Sequence, residues 1–360
     1  MQNESRSLYS VMEGGGAYNL HARIPAGGGS LALPHLEQAV RNITLNGGNE
    51  PVVIADYGSS QGKNSLVPMR TAIGVLRARL GPDRPIVVVH VDQPANDFNT
   101  LFDVLHRDPE RYALDDPNVF PSAIGRSFYG NLLPPDHVHL GWTSYAVVWL
   151  SHAPMLIPGH FIAIRSTGEV RAAFERQGAE DWKSFLSLRA RELRTGGRLV
   201  VVLPGINDQG SVGLEDLFDR ANEALAEMVT ERAITADERE HMVLAGCPRR
   251  RSDLLEPFVK DGQFRGLTVD RCALCALPDS AWAEYEQDGD KELLATKHAQ
   301  FFRATFAPSL ACALTASDPA VCRTFATRLE DGLKGRLVDR PAALHTWVQT
   351  IVLAKQRSCS

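Results

Sequence analysis

The sequence predicts an α/β fold, an open doubly wound sheet with a mainly helical cap. Three observations predict it: two apolar runs that each end in an acid, an amphipathic helix between them, and a later run of the same kind. "PVVIADYGSS" from Pro51 is apolar and β-branched and stops at Asp56 and a glycine turn, as a buried strand does. Leu66, Met69, Ile73, Leu76 and Leu80 follow at steps of three and four, one face of a helix that Gly81-Pro82 ends. "PIVVVHVD" from Pro85 is a second buried strand, ending at Asp92, so the unit reads β-α-β with parallel strands and a right-handed crossover. Trp182, Phe185, Leu186 and Leu193 form the stripe of a later helix. Asp181 stands near its start, Arg191 and Arg194 near its end, and Gly196-Gly197 closes it. "RLVVVLPG" from Arg198 is a third strong strand, and "LTVDRCALCAL" is a late edge strand or a continuation into an insertion.

These elements divide the chain into an N-terminal segment (1–50), an α/β core (51–205) and a helical part with remaining core elements (206–360). The glycines at 14–16 and 27–29 mark the first as a flexible segment that drapes over the core. Beyond Gly205 the pattern is mainly helical, from "GLEDLFDRANEALAEMVTERAIT" to "RPAALHTWVQTIVLAK". Such a cap would close a pocket outside the carboxyl ends of the strands, where Asp56 and Asp92 stand.

Lysine plus arginine total 38 against 43 acidic residues, a net charge of -5 that offers no broad basic surface to nucleic acid or anionic lipid. A small molecule is the expected partner, with neither nucleic acid nor membrane. No export signal or apolar span is read, and the expected compartment is the cytoplasm. Of six cysteines, Cys272 and Cys275 form a CxxC, which could be redox-active or half a zinc site; without a second half at zinc-site spacing it reads as buried structural thiols. Arg249 to Arg251 read as a solvated loop.

The turn "DYGSSQGKNS" admits three cofactor classes, each with its own demand. A phosphate-binding loop needs four residues before its Gly-Lys and then Ser or Thr; here three separate Gly58 from Gly62, and Asn64 follows Lys63. A dinucleotide fingerprint needs a second glycine at position 60, where serine stands. A nucleoside cofactor without phosphates asks only for close backbone approach and polar groups, and S-adenosylmethionine fits. Asp92 is placed to accept from two ribose hydroxyls; capping a helix is the competing reading for this residue alone.

Further segments narrow the choice: "MEGGGAYN", "DQPANDFNTLF", "GRSFYGNLLP", "WTSYAVVWLS", "AEDWKSFLSLRAREL" and "FFRATFAPSL". In order with "DYGSSQGKNS", they resemble the SABATH methyltransferases, which include salicylate, jasmonate and indole-acetate carboxyl methyltransferases and caffeine-pathway N-methyltransferases. The resemblance implies a Rossmann-like methyltransferase sheet and S-adenosylmethionine as cofactor, leaving S-adenosylhomocysteine. It implies cofactor contacts at Tyr18, Asp56, Gly58, Ser59, Asn64, Asp92, Gln93, Ser127 and Phe128. Tyr145, Val148 and Trp149 are implied beside the acceptor, although Tyr145, Val148 and Trp149 also read as one face of an amphipathic helix. A homodimer accords with the family, and the residues themselves are silent on it.

The chain departs from the family in three places. Where a Ser-x-x-Gln often helps to hold the substrate carboxylate, the nearest positions are Ala22 and Pro25. Val148 stands where plant enzymes often have histidine, and "IPGHF" replaces a magnesium-binding segment, so no metal is expected. The expected reaction is methyl transfer to the carboxylate oxygen of a small organic acid. A carboxylate with a pKa of roughly 4 is ionised at neutral pH and needs no general base. Tyr145 and Trp149 then act by positioning, and His21, His90, His139, His152 and His160 need no chemical role; His137 and His139 form an HxH with no carboxylate partner in view, which does not read as a metal site. An oxygen or nitrogen acceptor of another kind, and a non-catalytic binding protein of the same fold, are the alternatives.

Overall fold

The computed structural model describes residues 12–316 and 318–356; the opening eleven residues of the N-terminal segment lie outside them. Three short helices come first: α1 (Ala17–His21), α2 (Arg23–Leu31) and α3 (Leu33–Arg41). The β-α-β unit follows as β1 (Val52–Tyr57), α4 (Lys63–Leu80) and β2 (Ile86–Asp92), and then come α5 (Phe98–Arg107), β3 (Val119–Gly125) and β4 (Val138–Ser144). The chain continues through α6 (Gly168–Glu192), β5 (Leu193–Pro204), α7 (Glu215–Thr230), α8 (Ala236–Glu240), α9 (Arg251–Leu255) and β6 (Leu267–Ala276). It closes with α10 (Ser280–Asp288), α11 (Lys291–Ala311), α12 (Pro319–Asp339) and β7 (Trp347–Lys355).

The strands form one sheet in the order β3-β2-β1-β4-β5-β7-β6. The first five are parallel, and β7 runs antiparallel to β5 and β6. The parallel, doubly wound core is therefore as expected from the sequence, and β6 is an edge strand. Helix α4 buries the face read from its periodicity, Leu66, Met69, Ile73 and Leu76.

Four sequence expectations are corrected. The "TWVQTIVLAK" run, read with the helical half, is β7: a strand buried on both faces shows no period-two alternation and cannot be told from a helix by pattern alone. Glycines 27–29 lie inside α2, and Leu36, Ala39 and Val40 of α3 pack into the core, so the N-terminal segment is partly structural. The Trp182 helix begins at Gly168 and ends at Glu192, which puts Leu193, Arg194 and Gly196-Gly197 in β5. Arg249, read as part of a solvated loop, is buried and donates to the carbonyls of Val147 and Gly178 at 2.5 and 3.0 Å, while residues 145–149, for which a helix was the competing reading, form a turn.

Two strands escaped the pattern. Strand β4 lies between β1 and β5, yet carries His139, Gly141 and Thr143, which dilute its apolar character. His139 accepts at Nδ1 from the Val53 amide at 3.1 Å, and burial pushes its pKa down to about 4, the state of a neutral structural imidazole. Strand β3 is an edge with Phe120 exposed and Pro121 in its middle, a position open to proline only where no partner needs its amide.

Helices α7, α11 and α12 form the cap around Phe161, Phe218, Phe302, Phe306 and Leu329. Segment 12–21 is tied to both halves. Glu13 accepts from Arg303 of α11 at 2.8 Å, and Arg303 also reaches Glu330 of α12 at 2.7 Å. Asp97, which caps α5 by accepting from the Thr100 amide, also accepts from the Gly15 amide at 2.9 Å.

Candidate active site

The turn after β1 begins at Gly58, whose φ is 86°. A side chain there would bring a Cβ within 2.1 Å of the Ala146 methyl group, so glycine is required both by conformation and by the close approach of residues 144–149. The turn ends at Gly62, where α4 starts. Asn19 of α1 spans this start: its Oδ1 accepts from the Lys63 amide and its Nδ2 donates to the Gln61 carbonyl, both at 3.3 Å. A side chain from the N-terminal segment thus helps to cap the helix that opens beside the cleft.

Asp92 ends β2 and lines this cleft. Its carboxylate accepts from the amides of Ser60 and Gln93, each at 2.7 Å, so it fixes the turn rather than capping a helix. Burial raises its pKa to about 6, against the pull of those two donors. Asp56, the other strand-end acid, faces inward. It accepts from Ser65 Oγ at 2.5 Å and from His90 Nδ1 at 2.9 Å, and the Tyr112 hydroxyl meets His90 Nε2 at 2.8 Å. This buried chain joins β1, β2 and α4 behind the turn.

The cleft is lined by Tyr18, Gly58, Asp92, Gln93, Phe128, Tyr145 and Trp149 among the residues expected from the sequence. Ser60, Gln61, Asn96, Asp97 and Ser144 join them. All five lie inside the quoted "DYGSSQGKNS", "DQPANDFNTLF" and "WTSYAVVWLS", so the segments carried the signal although those residues were not singled out. Asp56, Ser59, Asn64 and Ser127 do not line it. Asn64 is half-buried on the first turn of α4, and Ser127 accepts at Oγ from the Tyr129 amide at 3.2 Å. Buried polar atoms of the lining, Ser60 Oγ, Gln61 Oε1 and the Tyr145 hydroxyl, have no hydrogen-bond partner. Buried polar groups are normally satisfied, so these fit a polar ligand with several donors and acceptors, as an amino-acid-bearing nucleoside has.

Phe128 is held from behind by Arg189 of α6. Its guanidinium donates to the carbonyls of Phe128 at 2.8 Å and Gly130 at 3.2 Å, pairs with Glu192 at 2.9 Å and lies over the Tyr57 ring at 4.5 Å. Glu192 in turn accepts from the Tyr57 hydroxyl and the amides of Leu132 and Leu133. Within this buried group Arg189 Nε alone of the guanidinium nitrogens has no hydrogen-bond partner; the parts come from three distant stretches of chain, and nothing in local spacing pairs them.

A second cavity opens under the cap and is largely apolar. Ile24, Pro25, Val148, Ile162, Leu214, Phe218, Phe301, Phe306 and Trp347 line it, and Met12, Tyr18, Tyr145 and Trp149 line both spaces. Tyr145 sits at φ 59° with its amide bonded to the Val202 carbonyl at 2.7 Å, a strained position held by the sheet. Its ring lies against Gly28 of α2, where a Cβ would come within 2.4 Å. Burial raises the pKa of the Tyr18 and Tyr145 phenols, with Asp92 adding to the first and Tyr18 to the second, so both stay protonated. The ring of Trp149 meets Phe306 edge-on at 6.1 Å.

A polar cleft thus joins an apolar cavity. A family model described as SAM dependent carboxyl methyltransferase matches residues 9–356. The chain belongs to that family. It is 30% identical over 278 residues to "Methyltransferase FUS9" of Gibberella moniliformis, covering 75% of this chain and 74% of that one. "Methyltransferase LUC1" of a Fusarium species is 32% identical over 226 residues, a match that spans 58% of its length and 61% of this chain. The salicylate carboxymethyltransferase of Clarkia breweri is 27% identical, with 66% of this chain and 67% of that one covered. Among solved structures, "Loganic acid methyltransferase with SAH" superimposes with a TM-score of 0.78 at 21% identity, over 96% of this chain and 99% of that one, which shows a shared fold. As a SABATH carboxyl methyltransferase, the chain is of an S-adenosylmethionine-dependent family, and the lining of the polar cleft fits that cofactor.

Proposed function

We propose that the protein transfers the methyl group of S-adenosylmethionine to a carboxylate oxygen of a small, largely apolar organic acid. The observation that carries this reading is the junction: Met12, Tyr18, Tyr145 and Trp149 wall both the polar cleft and the apolar cavity. The bound cofactor would supply a methyl carbon on a sulfonium sulfur, which leaves with the bonding electron pair as the acceptor oxygen forms its bond. Tyr18 and Asp92, with the turn that Asp92 holds, bind the cofactor side. Tyr145 and Trp149 orient the acceptor, whose carboxylate can take hydrogen bonds from the Tyr145 hydroxyl and the indole N–H.

Pro25, near the position of the family's carboxylate-holding glutamine, lines the apolar cavity, so these two groups replace that clamp. Among its described lining residues the cavity has no Lys, Arg, His, Asp or Glu. An ionised acid asks for no base, whereas an alcohol or phenol usually does. The apolar walls exclude water from the nucleophile. All five described cysteines are free, which supports placing this enzyme in a reducing cytoplasm, and among the described residues no helix is long and apolar enough to cross a membrane. A homodimer belongs to the same proposal and is checked by light scattering.

Calorimetric titration with S-adenosylhomocysteine tests the cofactor half, with one saturable site expected. Incubation of S-adenosylmethionine with a panel of acids, phenols and amines, followed by mass spectrometry, tests the other half. Methyl esters support the reading; methylated phenols or amines alone overturn the acceptor class.

A further inference from the structure

Beyond the apolar cavity lies another space, lined by Arg23, Asp279, Lys297 and His298 and sharing Ile24, Phe301 and Thr346 with it. Its floor is one face of α11: His298, Phe301 and Thr305 follow at steps of three and four, so the helix runs from this outer space into the acceptor cavity.

The chemistry of the outer space is set by Asp279. Its carboxylate caps α10 by accepting from the Ala281 and Trp282 amides, accepts from the Leu344 amide at 2.9 Å, and meets His298 Nε2 at 3.0 Å. A carboxylate with so many donors acts as an acceptor, so in the neutral imidazole Nε2 carries the proton and Nδ1 is left with the lone pair. His298 is 4% exposed, and its Nδ1 is buried without a partner. The neighbouring Lys297 is engaged by Glu284. On the same helix face, Thr305 Oγ1 is also buried without a partner.

We propose that the Asp279–His298 pair is a distal subsite of the acceptor cavity, accepting a hydrogen bond from a hydroxyl carried on the apolar body of the acid. The acceptor is then a hydroxylated acid, lying along α11 with its carboxylate at Tyr145 and Trp149 and its hydroxyl directed towards His298. Thr305 offers a second polar contact on the way. This rests on the acceptor class proposed above and adds the hydroxyl. A site that hydrogen-bonds a hydroxyl discriminates strongly against the analogue lacking it, because its own polar group is then left unpaired.

The test uses octanoic, decanoic and dodecanoic acids, each with and without a terminal hydroxyl, titrated into the full-length protein loaded with S-adenosylhomocysteine. At least one hydroxy acid is expected to bind on the order of tenfold more tightly than its parent, as one satisfied buried hydrogen bond supports. His298→Phe should bring that pair to parity while S-adenosylhomocysteine affinity stays unchanged, and His298→Gln should recover part of the preference. Should His298→Phe not fold, nitrogen NMR of the wild type provides the independent reading: the His298 Nδ1 resonance should move with the hydroxy acid and stay in place with its parent. A preference that survives in a folded His298→Phe, or an Nδ1 resonance indifferent to the hydroxyl, overturns the subsite. No preference for any hydroxy acid in the wild type overturns it too. Failure of the broader reading is distinct, since the absence of methyl ester from every acid supplied with S-adenosylmethionine would sink that reading whatever His298 does.

Discussion

Arg189 holds Phe128 through the latter's own backbone: the guanidinium donates to the Phe128 carbonyl at 2.8 Å while pairing with Glu192 at 2.9 Å, both charges out of contact with solvent. An aromatic wall of the polar cleft is therefore fixed by a buried ion pair on the helix behind it.

Arg189→Met should cost about 3–5 kcal/mol of stability, because it leaves Glu192 charged, buried and uncompensated. Arg189→Met combined with Glu192→Gln should recover a large part of that loss. Urea denaturation of the two variants makes the comparison; a single variant as stable as wild type would refute the buried charge.

Asp92→Asn should weaken S-adenosylhomocysteine binding by about 1–3 kcal/mol, since the asparagine's single oxygen can accept from only one of the Ser60 and Gln93 amides, and should flatten the pH dependence of the unliganded protein's stability. The sign follows from its raised pKa: between the ordinary value of 3.8 and about 6 the folded chain holds a proton that the unfolded chain has released. Stability from this group is therefore lost as pH climbs through that window, and asparagine removes the charge responsible. Ligand affinity of the wild type should fall as pH drops below about 6. Thermal melts across pH with and without ligand separate the two effects.

Trp149→Ala should change S-adenosylhomocysteine affinity by roughly 0.5 kcal/mol or less, while raising KM for the acid and lowering kcat. Equal damage to both ligands would place the indole in packing against Phe306 instead of in acceptor contact.

Gly28→Ala inverts the usual helix rule. In a helix interior this change ordinarily stabilises by about 0.8–1 kcal/mol, but here the new methyl group would come within 2.4 Å of Tyr145 Cε2. The variant should be less stable and bind acids poorly, and Tyr145→Leu in the same chain should restore stability but not turnover. Calorimetry and ester formation measure the two.

Much of this was readable before any coordinates. Strands β1 and β2, helix α4 and the strand beginning at Arg198 announce themselves because each pattern is local. Tyr18, Asp92, Gln93, Phe128, Tyr145 and Trp149 were placed by segments whose order along the chain is more specific than any single residue. What stayed hidden is non-local. Arg189 behind Phe128, Asn19 at the start of α4 and Arg303 on Glu13 depend on pairs far apart in sequence. Asp56 shows the converse: a strand-end acid beside a glycine turn reads as a ligand contact, but the pleat turns it towards Ser65 and His90. At residues 145–149 the competing helical reading falls away for a related reason, since helical spacing in so short a stretch is equally compatible with a turn pinned at Tyr145 by β5.

The antiparallel strand near the end of the chain has a consequence for how the protein is made. Because β7 lies between β5 and β6, residues 193–276 leave the ribosome with two strands that lack their common native partner. Strand β5 must keep a bare hydrogen-bonding edge through the synthesis of α7 to α12, and the sheet closes only when residues 347–355 arrive. A ribosome stalled anywhere before that point would hold an aggregation-prone intermediate, a natural client for a chaperone that shields strand edges.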